Sequence, residues 1–152
     1  MPSPARGSPF HSLGSAKRAV DQRRLTLELL PERFAIARLE ADSGVPAWVQ
    51  SGPLVSVTRT AVELSIVCPE ASVPQDVKAQ RALRCLRVLG PLPFSEIGVL
   101  SSIAQPIARA GVSIFALSTY DTDYLLVAHT DLEAGVFALN EAGHVVRRLG
   151  AA

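Results

Sequence analysis

Phe94-Ser95-Glu96-Ile97-Gly98-Val99-Leu100-Ser101-Ser102-Ile103-Ala104-Gln105-Pro106-Ile107-Ala108 is the stretch on which the fold turns. Apolar residues at Ile97, Leu100, Ile103, Ala104, Ile107 and Ala108 repeat with the 3.6-residue period of a helix that buries one face. Phe94-Ser95-Glu96 opens the pattern, and Gly111 stops it by tolerating a left-handed backbone. Pro106 opposes the pattern, because an interior proline forfeits one backbone hydrogen bond and crowds the preceding turn. A bend is expected there, not a break.

Outward from this helix the pattern switches to period two. Val112 to Thr119 reads as a strand, with Val112, Ile114 and Ala116 on one face and Phe115 and Leu117 on the other. Apolar groups on both faces predict a central, doubly covered strand. Tyr120-Asp121-Thr122-Asp123 is a polar turn, and Tyr124 to Ala128 a further strand. Thr130-Asp131-Leu132-Glu133 has the form of a capping box. Leu132, Val136 and Leu139 then make a helical stripe that Gly143 ends. Val145, Val146 and Leu149 form a last short strand. Upstream, Leu83 to Leu89 reads as a strand, although Arg81, Arg84 and Arg87 recur at a spacing of three and fit it poorly. The order is β-α-β-β-α-β, an α+β ferredoxin-like arrangement with both helices on one face of an antiparallel sheet.

The first half is strand-rich. Thr26 to Leu30 and Phe34 to Leu39 flank Pro31-Glu32-Arg33 and predict a hairpin. Pro46-Ala47-Trp48-Val49-Gln50 suits one helical turn. Leu54 to Thr58 and Glu63 to Cys68 suit two more strands, and prolines at 69 and 74 mark a connection. This half is too small to build a good core alone and is expected to pack on the second.

Composition narrows the function classes. The chain has 152 residues, 48% of them apolar, 19% charged and only 5% aromatic, with a net charge of +1. That content excludes a chain disordered throughout, and no run approaches the ~20 apolar residues of a membrane span. Residues 1–24 hold five basic side chains and one acidic, while the rest hold ten and thirteen. A mildly acidic, aromatic-poor body argues against nucleic acid. The leader lacks the apolar core of a secretory signal and reads as a solvated tail. Cys68 and Cys85 lack metal or redox spacing and read as small hydrophobes, so the cytoplasm is the expected compartment.

Few residues suggest chemistry. Asp121 and Asp123 lie two apart but lack a third ligand, so turn residues explain them equally well. Ser101 and Ser102 lack the G-x-S-x-G elbow of a nucleophile. His11, His129 and His144 have no ligand spacing and are expected as caps or surface groups. Gly90 to Gly98 matches no phosphate loop, and Pro91 and Pro93 remove amides that a phosphate needs. The same junction suits a zwitterion. A helix N-terminus offers amides to a carboxylate, and Glu96 offers a partner to an ammonium. A glutamate in a first helical turn is also ordinary dipole stabilisation.

The run Phe94 to Ala108, with Ala110-Gly111-Val112-Ser113-Ile114-Phe115-Ala116-Leu117-Ser118-Thr119-Tyr120-Asp121-Thr122-Asp123-Tyr124-Leu125-Leu126-Val127, resembles the ACT domain, and more narrowly bacterial relatives of the cytosolic arginine-sensor (CASTOR-type) ACT proteins. Leu29-Leu30-Pro31-Glu32-Arg33-Phe34-Ala35 and Glu63-Leu64-Ser65-Ile66-Val67-Cys68 resemble that subfamily's N-terminal half. Composition suggests a disordered basic leader over 1–24, and the resemblance, which starts at Leu25, implies a smaller strand-rich ACT-like half over 25–80 and an ACT domain over 81–152. It implies a non-catalytic regulatory protein that binds a free amino acid, forms a homo-oligomer, and needs no cofactor or metal. Nucleic acid and membrane are not expected as partners. Glu96 then matches the ammonium-contacting glutamate, Leu100 an apolar wall, and Thr119, Tyr120 and Asp123 the strand-turn that closes over the ligand. Pro93 stands where the sensor has a glycine whose backbone contacts the ligand, so that amide contact is lost. Two alternatives are an interaction module without ligand and a detached regulatory subunit of an enzyme such as aspartate kinase.

Overall fold

The computed structural model describes residues 23–93 and 95–150. The elements are β1 (Thr26–Leu39), β2 (Ser56–Arg59), β3 (Leu64–Pro69), a 3-10 turn at Glu70–Ser72, β4 (Ala79–Val88), α1 (Val99–Arg109), β5 (Phe115–Ser118), β6 (Asp123–Ala128), a 3-10 turn at His129–Asp131, α2 (Leu132–Glu141) and β7 (Val145–Arg148). The strands join in one sheet, in the order β2-β3-β1-β4-β6-β5, with β7 also beside β1. From β4 onward the fold is the expected ferredoxin-like β-α-β-β-α-β. Val99, Ile103 and Ile107 of α1 and Leu132, Val136 and Leu139 of α2 pack on Leu27, Leu29, Leu86, Val88, Leu125 and Val127 of the sheet.

One feature departs from the plain arrangement. The first and last strands of the unit, β4 and β7, are not neighbours: the start of β1 lies between them. Leu27 pairs with Val88 of β4 on one side, antiparallel, and with Val146 of β7 on the other, parallel. Further along, β1 pairs with β3 from Phe34 to Leu39. A single strand therefore runs through both halves of the molecule.

That strand replaces the expected hairpin at Pro31. Between Leu29 and Arg33, β1 has three residues where β4 has one, and both the β7 and β3 ladders leave 30–32 unpaired. Pro31 stands in the gap where no neighbour calls for its missing N–H, which is how a proline survives inside a strand. The compensating irregularity lies on β4, where Arg81 and Ala82 together oppose Ala35. Ala82 takes a left-handed φ of 53°, and its N–H donates to Glu70 Oε1 at 3.1 Å. An extra residue flips which face each later side chain takes. This lets Arg81 and Arg84, three apart, share a face, whereas Arg84 and Arg87 lie on opposite faces of an unbroken ladder with β6.

Three other expectations fail. β5 is an edge strand, not a central one, with Phe115, Ala116 and Ser118 exposed. Its two apolar faces arise because Phe115 and Leu117 look away from the helices. The capping box does not form: Asp131 is the N-cap of α2 and makes no side-chain cap bond. Glu133 instead takes both bonds from Arg148 of β7, at 2.8 and 2.9 Å. Phe94, expected to open the first helix, lies outside the described residues, as does the leader through residue 22. The helix begins only at Val99, after Gly98 at φ 80°. Glu96 is therefore a loop residue, not part of the first turn.

Helix α1 continues through Pro106, and the structure shows what makes this possible. Proline leaves the carbonyl four residues back, that of Ser102, without its helical donor. His144 Nε2 lies 3.0 Å from this oxygen, and its Nδ1 accepts the Leu25 N–H at 3.1 Å. These partners fix the imidazole as the Nε2–H tautomer. His144 is 4% exposed, so it is a core histidine and not the expected cap or surface group.

Candidate functional site

The loop from β4 to α1 meets the turn between β5 and β6, and backbone contacts hold the two together. The Leu92 N–H donates to the Asp121 carbonyl at 2.7 Å. The buried Thr122 hydroxyl donates to the Val88 carbonyl at 2.7 Å. Gly90 eases this crossing, since a Cβ there would lie a tight 3.1 Å from the Asp121 oxygen and 3.3 Å from the Thr122 Cβ. The turn is closed on itself by bonds from the Thr119 N–H and hydroxyl to the Thr122 carbonyl, 2.8 and 3.1 Å long.

Between loop and turn is a cavity of about 220 Å³, lined by Glu96, Thr119, Tyr120 and Asp123 together with Val99, Asp121 and neighbouring residues. Four of the five residues expected at a site thus share one pocket. Leu100 does not line it and is 38% exposed on the helix. The residue of α1 that lines the pocket is its neighbour Val99. Two adjoining hollows, of about 340 and 680 Å³, share Thr119 and Asp121 with it.

The pocket is acidic. Glu96, Asp121 and Asp123 contribute three carboxylates. Asp123 accepts the Ser118 hydroxyl at 2.5 Å, and Glu96 is ion-paired with Arg23. The α1 N-terminus opens nearby, and its first helical bond is from Ser102 N–H to the Gly98 carbonyl. The amides of Val99, Leu100 and Ser101 therefore have no acceptor within the helix. The Pro93 carbonyl is taken by the Glu96 N–H at 2.9 Å. Val99, Asp121 and Arg23 were not singled out from sequence as site residues. Asp121 carried a signal in the turn cluster, whereas Arg23 carried none, being 73 positions from its partner.

Other chemistry finds no setting among the described residues. No group of three or more His, Cys, Asp or Glu is placed to hold a metal ion. Both cysteines are free and buried. Burial pushes the Cys68 thiol up. Burial also pushes Cys85 up to about 12, with Glu32 adding to the rise and Arg87 opposing it. Thiols so placed stay protonated and are poor nucleophiles. Among the described residues, no helix is long and apolar enough to cross a membrane.

Residues 78–141 match the ACT domain family, and residues 32–76 match a second family described as an N-terminal domain. No curated protein matches the chain. Among solved structures, protein Atu0741 from Agobacterium tumefaciens is similar at 40% identity over 85% of this chain and 96% of that one, with a TM-score of 0.80. Protein VC0802 from Vibrio cholerae, described as a possible transport protein, is similar at 16% identity over 83% and 95%, with a TM-score of 0.68. The regulatory subunit of aspartate kinase from Thermus flavus is similar at 11% identity over 79% and 99%, with a TM-score of 0.55. The last two share the fold. The pocket lies within residues 78–141, the part of the chain that belongs to the ACT domain family, and at 40% identity over nearly all of Atu0741 the whole chain belongs with that protein.

Proposed function

We propose that this ACT protein is a non-catalytic, cytoplasmic regulator that binds a free amino acid between the β4–α1 loop and the β5–β6 turn. The observation that carries the reading is the convergence of Glu96 and Asp123 on one small pocket beside the open N-terminus of α1. An α-amino acid needs an anion for its ammonium and donors for its carboxylate. Glu96 supplies the first and the free amides of α1 the second. Asp123 and Asp121 then face the ligand's side chain, which favours a polar or cationic one. Thr119 and Tyr120 form the wall. At about 220 Å³ the pocket is below the roughly 300–1,000 Å³ of drug-sized sites, which suits a metabolite of this size. The CASTOR-type resemblance agrees with this choice of residues.

Tyr120 is fully exposed at the rim, Ile97 beside Glu96 in sequence is largely exposed, and β5 presents an open edge. A second copy closing over this rim accounts for both, and the homo-oligomer follows from it. The expected regulated partner is a separate enzyme. The shared fold with a regulatory subunit of aspartate kinase is consistent with a detached-subunit role as well as with a sensor acting alone.

A thermal-shift screen of the twenty amino acids tests the proposal, since a ligand at one hundred times its Kd adds roughly 2.7 kcal/mol. Glu96→Ala should abolish the shift while lowering the unliganded midpoint only slightly, as loss of a partly exposed ion pair costs under about 1 kcal/mol. No shift with any amino acid at millimolar concentration, or undiminished binding by Glu96→Ala, overturns it.

A further inference from the structure

The carboxylate assigned to the ligand's ammonium already holds a cation of this chain. Arg23 Nη1 is ion-paired with Glu96 Oε1, with Glu96 21% and Arg23 38% exposed. The chain beside Arg23 is firmly fixed. Two residues on, the Leu25 N–H is held by buried His144 and its carbonyl accepts from the Val145 N–H at 2.9 Å. The Thr26 carbonyl accepts from the Leu89 N–H at 2.8 Å, where β4 gives way to the pocket loop. The guanidinium is therefore carried by a two-residue tether from a rigid anchor at the mouth of the site. Such a tether gives an effective concentration of order millimolar, well above what a dilute ligand reaches.

We propose that Arg23 is an internal competitor for the ligand's cationic group. It fills the Glu96 subsite in the empty protein, and the incoming ammonium displaces it. The inference rests on the amino-acid reading above and adds a regulatory consequence to it. Apparent affinity is lowered by the fraction of molecules in which Arg23 is bound. Occupancy also becomes visible outside the pocket, because a ligand sets free the Arg23 guanidinium at the entrance to β1. A competitor of this kind sets the ligand concentration at which the protein responds without altering any group that the ligand touches.

Two measurements on the full chain test it, with L-arginine and L-lysine as probes suited to the acidic lining. The first is titration calorimetry on Arg23→Ala, expected to bind about two- to fivefold more tightly than the parent, the range that one exposed ion pair supplies. The second is limited trypsin digestion, read as cleavage after Arg23. The protease must take that guanidinium into its own acidic pocket, so the rate reports how often Arg23 leaves Glu96. Ligand should raise the rate in the parent, and Glu96→Gln should raise it without ligand. Equal affinity in Arg23→Ala and parent overturns the inference while the amino-acid site stands. An unchanged rate in Glu96→Gln overturns it independently of any ligand. If none of the twenty amino acids binds either protein, the amino-acid reading falls and this inference falls with it.

Discussion

The two halves of the sheet share β1 and β4 but repair their backbones differently. In the helix-covered half, the interruption lies in α1, where Pro106 strips the Ser102 carbonyl of its donor. The repair is one neutral side chain, His144, buried and bonded at both ring nitrogens. In the half formed with β2 and β3, the interruption lies in β4 at Ala82. There the repair is charged and nearer to solvent. Glu70 takes the Ala82 N–H, while Arg81 reaches the carbonyls of Val73, Pro74 and Val77 at 3.3, 2.6 and 3.2 Å. Trp48, Val49 and Val77 cover the adjoining apolar cluster in place of helices. A buried break demands a neutral partner of fixed geometry, because an unpaired charge inside a core is costly. At a wetter break, longer charged groups suffice.

This contrast sets an order of expected effects. The largest falls on the helix-covered half. His144→Ala leaves the Leu25 N–H and the Ser102 carbonyl buried without partners, and should cost roughly 3 kcal/mol in urea unfolding. In a Pro106→Ala background the helix regains its own donor, and the same change should cost about 1 kcal/mol less. Equal costs in the two backgrounds would break the link between the proline and the histidine.

The next effect comes from Cys85, which lies beneath both halves. Its thiol is raised to about 12 when folded and ionises near 8.5 when unfolded. The folded state therefore holds the proton longer. This contribution to stability is complete below the unfolded value and is lost as pH rises from there towards 12. The slope approaches about 1.4 kcal/mol per pH unit above pH 9. Unfolding curves from pH 8 to 11 should show the decline, and Cys85→Ala should flatten it.

Smaller effects belong to the half without helices. Glu70→Ala should cost about 1 kcal/mol, as it strands a half-buried N–H at the bulge. Ala82→Gly should stabilise by up to about 1 kcal/mol, because glycine takes φ 53° without the penalty on an L side chain. If Glu70→Ala costs as much as His144→Ala, the distinction between a dry and a wet repair fails.

Local patterns were legible, whereas long-range repairs were not. Ile103 and Ile107, with Leu132, Val136 and Leu139, show the helix faces in their spacing, and the β-α-β-β-α-β order follows from it. Pro31 misled because a proline between two β-rich runs carries the same local signal at a turn as at a gap in a strand. His144 was unreadable because its partners lie 119 and 42 positions away. At the site, Glu96 carried its own signal as a carboxylate beside a helix N-terminus, whereas Thr119, Tyr120 and Asp123 came as ligand contacts from the ACT resemblance. Leu100, which the resemblance put on the apolar wall, does not line this pocket, whereas its neighbour Val99 does.

The position of β1 also sets a timetable for synthesis. The lower half of this strand meets its β3 partner once residue 69 has left the ribosome. The upper half, earliest of the described strands to be made, lacks its β7 neighbour until residue 148 is out. Leu27 and Leu29 thus wait, with one strand edge bare, through translation of nearly the whole remaining chain. Such late closure makes folding slow and exposes the nascent protein to wrong pairings.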